Sequence, residues 1–285
     1  MKPTIISAIF LGVGVVIGAR LIRNGVEKPE DVAVSRAARD HQELILMLQY
    51  IGRDYRDAVE DGSIINPFEY REISAFCDRV IESYTGFQQD LEKSETVLQL
   101  QQLRQMVYEK SDPYSIADLS KTLVKELSLE LATDSSPVAT PDVALGKRSY
   151  HAGGCQVCHG AKGDGDGWAA SGLEPGPGSF REEERMREAT PYYFYNVIEL
   201  GVTGTSMPSF QEAFSRQEAW DIAFYIMTLR NGFNPKPSGR SLGFTLTDLV
   251  TKSDFDLMEE IAEKGEQGEM SSAIDYLRSR PEVLE

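Results

Sequence analysis

Histidine, cysteine and tryptophan are scarce in this chain: three, three and two among 285 residues. A structural zinc site takes about four ligands, and beside Cys155 and Cys158 no second Cys/His pair remains to complete one. Basic residues are also in deficit, 29 against 45 acidic, and a formal charge of −16 excludes the basic stripe that nucleic acid demands. That acidity favours a cationic partner, a basic docking surface or metal cations, or serves solubility alone. Long apolar runs are missing beyond Thr4 to Ile22, so the residues for a many-span membrane pore are not there.

The pentapeptide Cys155-Gln156-Val157-Cys158-His159 is the most specific motif present. Two thiols flanking two residues and followed at once by an imidazole form the attachment signature of a c-type haem, in which each sulfur adds to a vinyl group. The histidine then becomes the proximal iron ligand. A metal knuckle or a redox disulfide is the competing reading of such a pair. For the opposite axial position the other histidines are His41 and His151, and His151 lies too close to the motif to fold over easily. Met207 suits that position better. It sits in the turn-rich stretch from Gly201 to Phe210, where Pro208 restricts it to extended conformations and directs its side chain out of a loop. Met186 and Met227 fit the ordinary role of filling a core. The expected cofactor is one covalent haem c, bound by Cys155 and Cys158 and ligated by His159 and Met207. Such ligation specifies an electron-transfer protein without catalytic residues, because peroxidase-type chemistry requires an open iron position.

Around the motif, Lys162 to Gly167 alternates glycine with acidic residues but lacks the later ligands of a calcium loop, so a glycine-rich turn is expected. Pro175 to Gly178 is a loop passing near the haem edge, and Arg181 to Glu188 is a charge run expected to be a solvated helix face. Cys77 lies among Ile73, Phe76 and Val80 and is expected to be a buried, inert thiol.

The remainder reads as all-α. Thr4 to Ile22 can span hydrocarbon as a signal anchor covering 1–23, a removed signal peptide being the alternative, and Gly14 and Gly18 share one face for a second membrane helix. Residues 35–131 are expected to form a helical bundle. Leu44, Leu48, Ile51, Tyr55 and Val59 mark a first helix stopping near Asp61-Gly62; Asn66-Pro67 opens a second, with Phe68, Ile73, Phe76, Val80 and Ile81 on its buried face. Gln88 to Lys110 is a third, and Asp112-Pro113 opens a fourth. A linker over 132–142 leads to a domain at 143–232, and 243–285 is a short helical appendage with Gly265 as a helix stop.

The segments Gly146 to Tyr150, Cys155 to Gly167, Tyr192 to Phe210 and Trp220 to Ile226 resemble class I cytochromes c. More narrowly they are similar to the cytochrome domain of bacterial iron-permease fusion proteins of the high-affinity iron transporter family. Tyr50 to Val59, with Glu69-Tyr70 following, resembles the helical segment ahead of the cytochrome in those fusions. The resemblance implies that Gly146 and Tyr150 meet the helix carrying Trp220 and Tyr225. It also implies haem attachment outside the cytoplasmic membrane, so the soluble domains would face the periplasm or cell exterior. The family's Arg-Glu-x-x-Glu iron motifs are missing, since Arg181-Glu182-Glu183-Glu184-Arg185 fails at its fifth position. A pore would then be a separate subunit.

Two functions compete at this level. One is the redox subunit of an iron-uptake system, taking electrons from ferrous iron and partnered by a membrane permease or redox complex. Carboxylates are hard ligands suited to iron, and Asp54, Asp57 and Asp61 fall at helical spacing, where a solvated acidic face is the plainer reading. The other is a generic periplasmic respiratory carrier exchanging electrons between membrane complexes. The bundle distinguishes them, because a simple carrier has no need of it.

Overall fold

The computed structural model describes residues 29–87, 94–131, 135–237, 242–264 and 270–284, with side chains from residue 37 onward. The apolar run Thr4 to Ile22, with Gly14 and Gly18, lies outside the described residues, as does Gly265. Among the described residues no helix is long and apolar enough to cross a membrane.

Helix α1 (Pro29–Asp54) buries Leu44, Leu48 and Ile51 along one stripe and packs on α2 (Pro67–Phe87) and α4 (Pro113–Glu130), with α3 (Glu95–Tyr108) completing the bundle. At the α1–α4 crossing a Cβ added to Gly52 would stand 2.8 Å from the Ser120 Cβ, so the small residue lets the two backbones approach. The starts of α2, α3 and α4 each have a side-chain acceptor that satisfies otherwise orphaned amides. Asn66 Oδ1 accepts from Phe68 N and Glu69 N, and Asp112 Oδ2 accepts from Ser115 N at 2.9 Å, each just ahead of the expected proline. Ser94 caps α3 in the same way, while residues 88–93 of the expected third helix lie outside the described set.

Two expectations in the bundle fail. The first helix does not run to Asp61-Gly62: α1 stops at Asp54, a 3₁₀ turn spans Tyr55–Asp57, and strands β1 (Val59–Glu60) and β2 (Ser63–Ile64) pair antiparallel. Asp61 and Gly62 have φ of 47° and 72°, the paired positive values that a two-residue hairpin turn needs. Tyr55 and Val59 are still buried, so their helical spacing reflects a shared core rather than a continued helix. Phe68, expected inward, is 51% exposed because it occupies the first turn of α2 on the solvent side.

The second half is built on α5 (Val143–Ala152), α6 (Cys155–His159), α7 (Glu183–Glu188), α8 (Pro191–Leu200) and α9 (Arg216–Met227). Helices α5 and α9 cross at Gly146, where an added Cβ would lie 1.9 Å from the Asp221 carbonyl oxygen. Any side chain there would force the helices apart. One turn on, Tyr150 meets Tyr225 edge-on at 5.4 Å, so the contact implied by the resemblance is present. Trp220, Ala223, Phe224 and Met227 are all buried.

Helices α10 (Leu246–Thr251), α11 (Asp254–Glu263) and α12 (Met270–Ser279) are fastened to this half by ion pairs rather than by apolar packing alone. Arg230, with its side chain fully buried, bonds Asp275 of α12, while within the appendage Arg278 Nε donates to Asp254 Oδ1 at 3.0 Å and its other nitrogens to the Leu249 and Lys252 carbonyls. Breaking one member of such a buried set costs about 3–5 kcal/mol, since its partner is left charged and dry.

The two halves meet along α1 and α8. Asn196, fully buried on α8, donates to Gln49 Oε1 at 2.9 Å and accepts from Gln42 Nε2 at 3.0 Å. Arg185 on α7 reaches Asp54 and Asp57, 2.7 Å each, and Arg56 bonds Glu188. The expected solvated face at Arg181 to Glu188 is therefore corrected: Met186 is buried, Arg187 is 8% exposed and bonds Ser271, and Arg185 and Glu188 serve the seam between the halves.

Candidate functional site

Cys155 and Cys158 lie three residues apart on the single turn of α6 and project from one face, with His159 one turn beyond Cys155. Both thiols are free and half-buried, and burial pushes Cys155 up to about 11. Tyr150 Oη donates to the Gly160 carbonyl at 2.8 Å, which ties the end of α6 to α5. His151 is occupied locally, its Nδ1 2.8 Å from Gln156 Oε1.

His159 is set by two contacts from the following loop. Its Nδ1 lies 3.2 Å from the Gly178 carbonyl, and its ring stacks on Phe180 at 4.7 Å with an 18° interplanar angle. A carbonyl only accepts, so Nδ1 carries the proton and Nε2 presents its lone pair. Burial lowers the imidazole's pKa, partly opposed by the Gly178 bond, and the ring stays neutral as a metal-ligating imidazole must.

The loop holding Gly178 is fastened to α6 by backbone bonds: Gly165 N to His159 O, Gly167 N to Cys158 O and Ala169 N to Val157 O. A Cβ on Gly167 would stand 2.2 Å from the Val157 oxygen, so only glycine permits that approach. The run Lys162 to Gly167 is thus the expected glycine-rich turn, and the Pro175 to Gly178 loop touches the motif's histidine directly. Trp168, the residue after this turn, is 82% exposed.

Met207 is half-buried in a loop pinned to the end of α8. Phe210 N donates to Ile198 O at 2.9 Å and Val202 N to Met207 O at 3.1 Å, while Met207 N donates to Thr205 Oγ1. A Cβ on Gly201 would lie 2.6 Å from the Met207 oxygen, which leaves no slack at the neck of the loop. Helix α8 thereby serves both segments, because Phe194 also meets Phe180 edge-on at 5.6 Å. Met186 and Met227 are core residues, and Cys77 is buried with its thiol pushed up to about 12, hence unreactive.

Asp54, Asp57 and Asp61 are not gathered by the fold, which corrects the shared helix face expected for them. Asp54 ends α1, Asp57 lies in the 3₁₀ turn and Asp61 in the hairpin turn, and the first two carboxylates are held by Arg185. Among the described residues no group of three or more His, Cys, Asp or Glu could hold a metal ion. Sequence reasoning missed Phe180, Arg53 and Asn196 as parts of the site's frame, whereas Gly178 belongs to the loop that the prolines at 175 and 177 marked as passing near the haem edge.

Residues 29–134 match the iron permease-associated 4-helix bundle domain, and residues 143–230 match cytochrome c. No curated protein matches the chain. A solved chain from the reducing HAO-like protein complex of Kuenenia stuttgartiensis is 24% identical, with a TM-score of 0.30, over 42% of this chain and 62% of that one. The present chain thus spans less than two thirds of that relative's length, and a likeness at that score carries no structural argument.

A cytochrome c domain holds haem c covalently, and the residues present fit that group. They supply two unpaired thiols on one helical face, a neutral imidazole with its ligating nitrogen fixed by tautomer, and a half-buried thioether.

Proposed function

We propose that this chain, in which an iron permease-associated four-helix bundle precedes a cytochrome c domain, is the electron-transfer subunit of an iron-uptake system, accepting single electrons from ferrous iron beside a separate membrane permease. Bound haem c supplies a one-electron couple. Cys155 and Cys158 would tether it, and His159 and Met207 would supply the side chains that ligate its iron. Gly178 and Phe180 hold the imidazole at one angle, and the Gly201 neck holds the thioether, so little rearrangement accompanies a change of charge. Thr4 to Ile22 would anchor the chain, with the domains facing the periplasm or cell exterior.

The observation that carries the iron-linked reading is the seam. The bundle is joined through Asn196 and Arg53 to α8, the helix that also braces His159 and Met207, and through Arg56 and Arg185 to α7 just before it. A bundle fixed to the redox half in this way suits a subunit whose redox step is tied to a permease. Stopped-flow mixing of the oxidised protein with ferrous iron tests it. Rapid appearance of the reduced spectrum is expected; no reduction with ferrous iron, alongside fast exchange with a quinol-oxidising or oxygen-reducing complex, would identify a respiratory carrier instead.

A further inference from the structure

Among the arginines at and beside the seam, Arg53 stands apart. Arg56 and Arg185 form close carboxylate pairs, and Arg187 bonds Glu183 Oε1 at 3.0 Å. Arg53 instead lays its guanidinium over Tyr193 at 4.5 Å and faces Phe194 at 6.0 Å, with its side chain 14% exposed. Its Nε is buried without a hydrogen-bond partner, and Asp54, 3.9 Å away, has that same carboxylate oxygen committed to Arg185. Burial pulls its pKa down, but Tyr193 and Asp54 more than reverse this, so it keeps its charge.

From Arg53 the rings run in series. Phe194 meets Phe180 edge-on at 5.6 Å, and Phe180 stacks on His159 at 4.7 Å. An aromatic path without charged side chains therefore leads from a cation on the bundle to the imidazole of the attachment motif.

We propose that Arg53 sets the reduction potential of the iron bound at His159, raising it through a buried positive charge contributed by the bundle. The claim rests on His159 being an axial ligand, and it assigns the bundle a role in the redox half that its match alone does not. Oxidised iron carries one more positive charge than reduced iron, so a nearby cation disfavours the oxidised form. The screening between them is that of packed rings rather than water. At a separation on the order of 15 Å and an effective dielectric of about 20, one charge shifts such an equilibrium five- to tenfold. Arg53 is a positioning and potential-setting residue here, since it touches neither the iron nor its ligands.

Redox titration of the full haem-loaded chain as wild type, Arg53→Met and Arg53→Lys tests this. Arg53→Met keeps the length and removes the charge, and should move the equilibrium against a fixed mediator about five- to tenfold toward the oxidised form, about 40–60 mV for one electron. Arg53→Lys should stay within about twofold of wild type. In all three the sulfur-to-iron absorption band should persist, which a variant that merely loosened the fold would not maintain. Should Arg53→Met lose that band, Arg53→Gln, neutral and still able to bond Tyr193, supplies the comparison. An unchanged potential in the neutral variant, or an equal fall in Arg53→Lys, overturns the proposal. Absence of the band in the wild type would instead refute Met207 ligation and leave the comparison of potentials standing.

Discussion

Serine at both Cys155 and Cys158 is expected to abolish covalent haem retention. After denaturing extraction into acidified organic solvent, the wild-type polypeptide should keep its colour and the double variant should keep none, a change from complete retention to zero. The reason is chemical: a thioether forms only from a thiol, and the chain's remaining thiol, Cys77, lies at 2% exposure in the bundle with its ionisation suppressed by burial. Cys77→Ala should therefore retain haem at the wild-type level. Colour that survives extraction in the double variant would show that attachment does not use these sulfurs.

The second large effect belongs to Met207. Met207→Ala should erase the sulfur-to-iron band and lower the midpoint potential by an amount on the order of a hundredfold in equilibrium constant, about 120 mV at 59 mV per decade. Thioether opposite imidazole favours the reduced iron, and its loss leaves a weaker or exogenous ligand in place. The loop itself should survive, because its fastenings are backbone bonds, Val202 N to Met207 O and Phe210 N to Ile198 O, that alanine keeps. The melting temperature is thus expected to change far less than the potential. An unaltered spectrum would mean that another side chain occupies the sixth position.

Local signals in the sequence located much of this architecture. Asn66-Pro67 and Asp112-Pro113 were readable because caps and first-turn prolines act within a few residues, and the stripe through Leu44, Leu48 and Ile51 because helical spacing survives in any helix with one buried face. Cys155 to His159 was readable because the spacing is itself the chemistry. The failures share a different cause. Val59 kept helical spacing while leaving the helix, since a hairpin folded its side chain back to the same core; Asp61-Gly62, read as a helix stop, is the turn of that hairpin. Arg185 and Glu188 looked solvated because their partners, Asp57 and Arg56, lie on the far side of the domain seam, more than a hundred positions away in the sequence. Arg53 and Asn196 were invisible for the same reason. A charge or amide bridging two domains leaves no periodicity in either one.

The account stands on an iron closed on both faces and able only to exchange one electron. Its most direct test is to reduce the wild-type protein and expose it to carbon monoxide while recording the spectrum. The six-coordinate reduced spectrum should persist unchanged, and reoxidation should restore the sulfur-to-iron band in full. A spectrum that shifts to a carbon monoxide adduct would show an open iron position, and the reading of this chain as an electron-transfer subunit would give way to one of ligand binding or catalysis.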